Sequence, residues 1–498
     1  MIKTKKHQFL IMTLSVSVAT LCVSCVSGLS ENPTKSTESS ADALVSITPE
    51  PDVDALERLG KHVFFDEISS PDGQSCASCH APEAGWTSPD AEINAGSIVV
   101  PGAVSHRTGN RKPPTVAYTS SAKNFGVSQF AWGPEECEKE KYGWLCQGGL
   151  FWDGRATGFM VGMEVFDGSS DEVKAAYKRF LGPLVDQALG PFSNDVEHNV
   201  PDGNDNDMPG AEFVCRHVAK SEYARLYEQA WKEKIDCEQT GVDISFKRIG
   251  VALSAWQQSD EVNSYSSKRD FAVMNDNDDT PGVSPYSEFT DLENLGNDLF
   301  WGLKTKLNPT GKDAQCAECH NSEARDSVGN ELHNQFTDNT FNHLTLPPNY
   351  EASNFDPDRP DVGLSEHTSK TPLTSGHAGH FRTPTVRNVD MRSSDGFTKA
   401  FMHNGYFKNL EDIVHFYNTS LTKVDPIKCP AGTTAKQARE RDCWPEPEVN
   451  TSNSASSEII DLMGDLGLTE KEEAALVAYL KTLTDTKTVQ PPTLAGQD

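Results

Sequence analysis

Cys76-Ala77-Ser78-Cys79-His80 recurs in the second half of the chain as Cys316-Ala317-Glu318-Cys319-His320. Two thiols three positions apart match the two vinyl-derived carbons on one edge of a porphyrin, and the imidazole that follows falls beneath the iron as its proximal ligand. The competing reading is a pair of zinc or redox Cys-x-x-Cys sites. A histidine directly after both motifs, with a similar helix signal ahead of each, favours two covalently attached haems. Cys76, Cys79, Cys316 and Cys319 are then the attachment points, and His80 and His320 the proximal ligands.

A chain of 498 residues exceeds one comfortable hydrophobic core, so two haem domains are the natural count. Leu59-Gly60-Lys61-His62-Val63-Phe64-Phe65 precedes the first motif and Leu295-Gly296-Asn297-Asp298-Leu299-Phe300-Trp301 the second, as if one helix were used twice. A further pair follows. Pro114-Thr115-Val116 leads to Phe151-Trp152-Asp153-Gly154-Arg155, and Pro384-Thr385-Val386 leads to Phe401-Met402-His403-Asn404-Gly405. These landmarks divide the chain near residue 285, into haem domains over 51–285 and 286–498.

Helical signals dominate. Leu56, Leu59 and Val63 share one helical face, and Thr469 with Glu472 forms a capping box ahead of Leu476, Val477, Leu480 and Leu483. Strand-like alternation is scarce, and Gly, Pro, Asn and Asp punctuate long connections. The fold class is therefore mainly α: two cytochrome c-like haem domains related by an internal repeat, with long irregular loops.

Lys3, Lys5 and Lys6 precede an apolar run from Phe9 to Val23, which reads as an export signal over residues 1–25. Residues 26–50 read as a flexible linker. Cys25 is a candidate lipid-attachment cysteine, with Cys22 in place of the usual leucine; simple cleavage is the other reading. The location expected is periplasmic, with an outer-membrane anchor if Cys25 is lipidated. Cys137, Cys146, Cys215, Cys237, Cys429 and Cys443 form three sequence-local pairs. In an oxidising compartment they suggest disulfides 137 to 146, 215 to 237 and 429 to 443, among about fifteen pairings; buried thiols are the alternative. A formal charge of −29 argues against nucleic acid and suits a basic protein donor, or simply solubility. The acidic runs Asp202 to Asp207 and Asn275 to Asp279 read as solvated loops rather than calcium loops.

Taken together, the two haem motifs, Phe-Trp-Asp-Gly-Arg at 151–155, the run from Gln187 through Gly190-Pro191-Phe192 and Asn194 to Val196-Glu197, and Arg382-Thr383-Pro384-Thr385-Val386-Arg387-Asn388 through His403-Asn404-Gly405 resemble the bacterial dihaem cytochrome c peroxidase family, which includes the MauG-type enzymes. The resemblance runs from about residue 56 to residue 484. It implies a peroxidatic haem on His80, an electron-transfer haem on His320, hydrogen peroxide as substrate, and a small cytochrome c or cupredoxin as electron donor. It also implies that Glu197 is the acid/base carboxylate, with a pKa raised by an apolar pocket. Trp152 is the indole between the haems, and a packed core indole is the plainer reading of the same residue. Arg155 would pair with a propionate or a carboxylate.

Three positions decide the subfamily. His106 lies roughly where some members keep a histidine that caps the peroxidatic iron; a surface or propionate contact is the alternative. Tyr417 stands where classical members keep a methionine ligand to the second haem and MauG-type members a tyrosine. Leu410, Ile413, Val414 and Tyr417 share a helical face, so an ordinary core tyrosine remains open. Lys112 replaces the asparagine of the family's calcium site, leaving backbone oxygens of Thr398 and Ala400, so calcium needs other ligands. Three functions follow: a peroxidase, a MauG-like enzyme that oxidises a partner protein, or a dihaem electron carrier. A homodimer is an admissible assembly.

Overall fold

The structure is a computed structural model. It describes residues 50–126, 138–140, 143–201, 210–276, 284–322, 333–366, 377–449 and 462–493, with backbone alone for 138–140 and 143–145. Among these residues there are 13 α-helices and two short antiparallel ribbons, a mainly α architecture as the sequence pattern predicts. The export signal, the linker, Cys25, Cys137 and the 202–207 run lie outside the described residues, so the 137 to 146 pairing does as well.

Asp52 caps the helix Val53–Phe65 by accepting from the Ala55 N–H, and Leu56, Leu59, Val63 and Phe64 bury its apolar face. That face meets the helix Gly241–Gln257. The crossing is close because residue 60 has no side chain: a Cβ there would stand 2.0 Å from the carbonyl oxygen of Ala252. The second half repeats the device. Thr290 and Glu293 box the start of the helix Asp291–Phe300, and Thr469 and Glu472 that of Glu470–Lys481. These two helices cross at Gly296, where a Cβ would lie 2.0 Å from the Ala475 carbonyl oxygen.

Two large apolar cores result. One gathers residues from Ala55 to Val262 together with Val489; the other gathers residues from Ala272 to Leu483. The helix Lys268–Met274, placed in the first half by the boundary near 285, contributes Ala272 to the second core. Its Asp270 takes a two-pronged ion pair from the buried Arg387 at 2.7 and 2.9 Å, and Arg387 in turn lies over the rings of Tyr118 and Tyr265. Disulfides join Cys215 to Cys237 and Cys429 to Cys443, two of the three pairings expected.

Candidate active site and haem-binding cavities

Both motif histidines are held the same way. His80 Nδ1 lies 2.9 Å from the Pro114 carbonyl oxygen and 3.3 Å from that of Trp86. A carbonyl only accepts, so Nδ1 carries the proton and Nε2 keeps its lone pair, the form that ligates iron. Burial drives the His80 pKa down to about 4, which keeps the ring neutral. His320 Nδ1 lies 3.2 Å from the Phe336 carbonyl oxygen, and the Pro384 carbonyl is its second acceptor. The two Pro-Thr-Val turns, noticed in the sequence only as landmarks, therefore supply the carbonyls that orient the two imidazoles. Cys76, Cys79, Cys316 and Cys319 are in no disulfide, and burial pushes each thiol up to about 12.

Around Cys316, Cys319 and His320 the chain forms a largely apolar cavity walled by Leu410, Ile413, Val414, Leu476 and Leu480. Tyr417 reaches it from the helix Leu410–Thr419, on the face the spacing predicts. Burial, reinforced by the Cys319 and Cys316 thiols nearby, raises the tyrosine's pKa. The cavity also receives two polar atoms with no partner in the protein: Arg382 Nε and His403 Nε2. Arg382 is 4% exposed, and burial lowers its pKa to about 10. A buried cation and a buried ring nitrogen left open beside an apolar slot suit the carboxylates of a porphyrin, so a haem fits here. Neither Arg382 nor His403 was assigned this role from the sequence; only the landmark runs that contain them pointed that way.

On the first side, Glu197 follows the helix Pro183–Ser193. Its N–H donates to the Asn194 carbonyl oxygen at 3.1 Å, and its carbonyl accepts from the Ala103 N–H at 2.7 Å. Burial raises the Glu197 pKa, opposed by the charge of Arg155 and a bond from Asn194. The carboxylate's charge reaches the first motif, adding to the burial that raises the Cys76 and Cys79 thiols. Arg155 pairs with Asp153 at 2.9 Å and lies over the Phe151 ring.

Between the two motifs sits Trp152, 8% exposed, its indole N–H bound to the Lys112 carbonyl oxygen at 2.8 Å. Its ring meets His403 edge-on at 6.3 Å between centroids, and His403 stacks on Phe381 at 3.5 Å. The indole is a packed core side chain in contact with the second half. Arg111 closes this region with ion pairs to Asp153 and Asp361.

His106 is exposed, on a loop whose Ala103 contacts the Glu197 backbone. The charged neighbours felt by His80 are instead Lys112 and His198. Lys112 is buried and donates from Nζ to the Pro113 carbonyl oxygen at 2.9 Å. An ammonium there does not fit a calcium site.

Comparisons with known proteins agree with this geometry. The family model described as di-haem cytochrome c peroxidase matches residues 54–278. The chain is 28% identical over 441 residues to the methylamine utilization protein MauG of Paracoccus denitrificans, covering 87% of this chain and 89% of that protein. It is 24% identical over 373 residues to the cytochrome-c peroxidase IdrP2 of a Pseudomonas species, covering 73% of each. The solved structure of the diheme peroxidase BthA from Burkholderia thailandensis superposes with a TM-score of 0.58 at 26% identity, over 88% of both chains. With oriented histidines at both motifs and relatives matched along most of its length, the chain is similar to the dihaem cytochrome c peroxidases and MauG proteins, which are oxidoreductases.

Proposed function

We propose that this protein reduces hydrogen peroxide to water at the His80 site, with electrons entering through the His320 site from a small cytochrome c or cupredoxin. The observation that carries this reading is the Glu197 carboxylate, its pKa raised by burial and its charge reaching the Cys76 and Cys79 thiols. When bound, the two haems supply the electron-transfer chemistry, and the net reaction takes two protons and two electrons with each peroxide to give two waters.

The chain's own part is the proton. Glu197, as the carboxylate, removes a proton from the oxygen of peroxide that stays and returns it to the oxygen that leaves. A pKa above the ordinary carboxylate range makes it a better proton carrier near neutral pH. Trp152 fills the space between the two sites with an oxidisable ring held in one orientation by Lys112. Arg382 and His403 are the donors that would hold the second haem's carboxylates.

A second reading, a MauG-like enzyme that oxidises a partner protein, is favoured by Tyr417. Its side chain enters the His320 cavity where a thioether would favour ferrous iron, and a tyrosine oxygen favours higher oxidation states. The two half-domains read as a repeat of one haem unit, and an exported, periplasmic location suits the two disulfides. The test is to mix the haem-loaded protein with hydrogen peroxide, with and without reduced cytochrome c. Sustained donor oxidation supports the peroxidase. A long-lived oxidised protein that ignores the donor supports the protein-modifying enzyme, and inertness toward peroxide leaves the electron carrier.

A further inference from the structure

Two buried lysines meet at the seam between the halves. Lys399 is 4% exposed, and its ammonium donates to three backbone carbonyl oxygens, those of Ala84, Asn388 and Met391, each at 3.0 Å. Ala84 lies in the short turn that follows His80; Asn388 and Met391 follow the Pro384 turn that orients His320. One ammonium therefore joins the backbone next to the first haem site to the backbone next to the second. Three N–H donors meet three acceptors, a match that a neutral amine, with two protons, cannot make.

The backbone is shaped around this group. Gly85 has φ +68°, and a Cβ there would stand 2.7 Å from Lys399 Nζ and 2.7 Å from the Asn388 carbonyl oxygen. Only a residue without a side chain lets the Ala84 carbonyl approach so closely. Burial and the charge of Lys112, itself 5% exposed, push the Lys399 pKa down, and the three carbonyl acceptors, which only a protonated amine satisfies together, oppose that push. Lys112 occupies the position from which the family resemblance expects a side-chain oxygen for calcium, and Lys399 itself stands between Thr398 and Ala400, the expected backbone donors. Calcium takes about six to eight oxygen ligands, usually with carboxylates among them. Among the described residues no group of His, Cys, Asp and Glu side chains could hold a metal ion.

We propose that the Lys399 ammonium replaces calcium as the cation at this seam, so that the protein carries its own tethered cation and binds no calcium there. The joint between the two halves is then independent of free calcium. This inference rests on the seam geometry and on no reading of the reaction.

The test uses the full-length, haem-loaded protein. Metal analysis after gel filtration should find calcium well below one per chain. A calcium chelator, or added millimolar calcium, should leave the melting temperature and both haem absorption bands unchanged. One calcium retained per chain, or a chelator-induced fall in melting temperature that calcium reverses, would overturn the proposal. Lys399→Ala should melt at least about 5 °C lower and should recover part of that loss with methylammonium, which leaves the wild type unmoved. An identical response of variant and wild type to methylammonium would count against the tethered cation. If the variant does not fold, the metal analysis of the wild type decides.

Discussion

The indole N–H of Trp152 donates to the backbone carbonyl of Lys112 at 2.8 Å, and the Lys112 N–H donates in turn to the His403 carbonyl at 2.9 Å. The ring between the two haem sites is thus oriented by the backbone of the second half as well as by its own. Trp152→Phe keeps an aromatic in place and removes the bond and the readily oxidised ring. Stability should fall by about 1 kcal/mol. Both haem spectra should persist, while donor-dependent turnover drops at least about tenfold, roughly 1.4 kcal/mol of barrier. Stopped-flow kinetics against the wild type checks this, and unchanged turnover would reduce Trp152 to packing.

Glu197→Gln removes the proton carrier while keeping size and polarity. Peroxide consumption should slow by about 10²- to 10⁴-fold with both haem absorption spectra retained. Because the carboxylate acts as a base, the wild-type rate should rise with pH through a pKa above the ordinary range, in the direction burial shifts it. The variant's profile should lose that rise. A variant that keeps the same pH dependence would assign the rise to another group.

Tyr417→Phe tests ligation at the second site. With tyrosine as a ligand, the ferric electron paramagnetic resonance spectrum should lose one set of signals and gain another, while haem staining on a denaturing gel is unchanged. Tyr417→Met should also raise that haem's reduction potential, since a thioether favours ferrous iron. An unaltered spectrum in both variants would make Tyr417 an ordinary core residue.

His217 Nε2 lies 2.9 Å from the Asp66 carboxylate, which also takes the Tyr223 hydroxyl. Donating to Asp66 raises the His217 pKa, and the bonds from His217 and Tyr223 hold Asp66 low despite the burial that opposes them. A raised histidine contributes stability that is fully present below its unfolded pKa of about 6.5 and is lost as pH rises through the folded value. Asp66 stays ionised across that window. Melting temperatures from about pH 6 to pH 9 should therefore fall more in the wild type than in His217→Gln. Parallel curves would show that the pair contributes nothing to folding.

At Gly60 and Gly296 an added methyl would meet backbone, at 2.0 Å from the carbonyl oxygens of Ala252 and Ala475 respectively. Backbone inside a packed helix pair yields little, so Gly60→Ala and Gly296→Ala should each cost about 1–3 kcal/mol or more. Chemical denaturation measures it. A loss of a few tenths would mean that the two crossings are looser than the structure shows.

The legible part of this protein was local chemistry and spacing. Cys-x-x-Cys-His announces its use within five residues. The Thr469 capping box and the Leu410 to Tyr417 face also follow from helical periodicity, and these two appear as read. The ties of the helix Lys268–Met274 to the second core, Ala272 and the Asp270–Arg387 pair, are not legible in the sequence because they join residues far apart along the chain. That His106 is exposed is likewise not legible, because order along the chain says nothing about which way a loop side chain faces.

By itself, then, the order of residues determined where the two Cys-x-x-Cys-His motifs fall, which histidines follow them and that helices surround them, since each of these depends on neighbours within a turn or two. The tertiary structure alone decided how Pro114 and Pro384 orient those histidines, which buried donors remain for a second haem, and that Lys399 gathers three carbonyls from both halves of the chain. The physical reason is that a buried polar group must find its partner wherever folding brings one within about 3 Å, and separation along the chain does not limit that search.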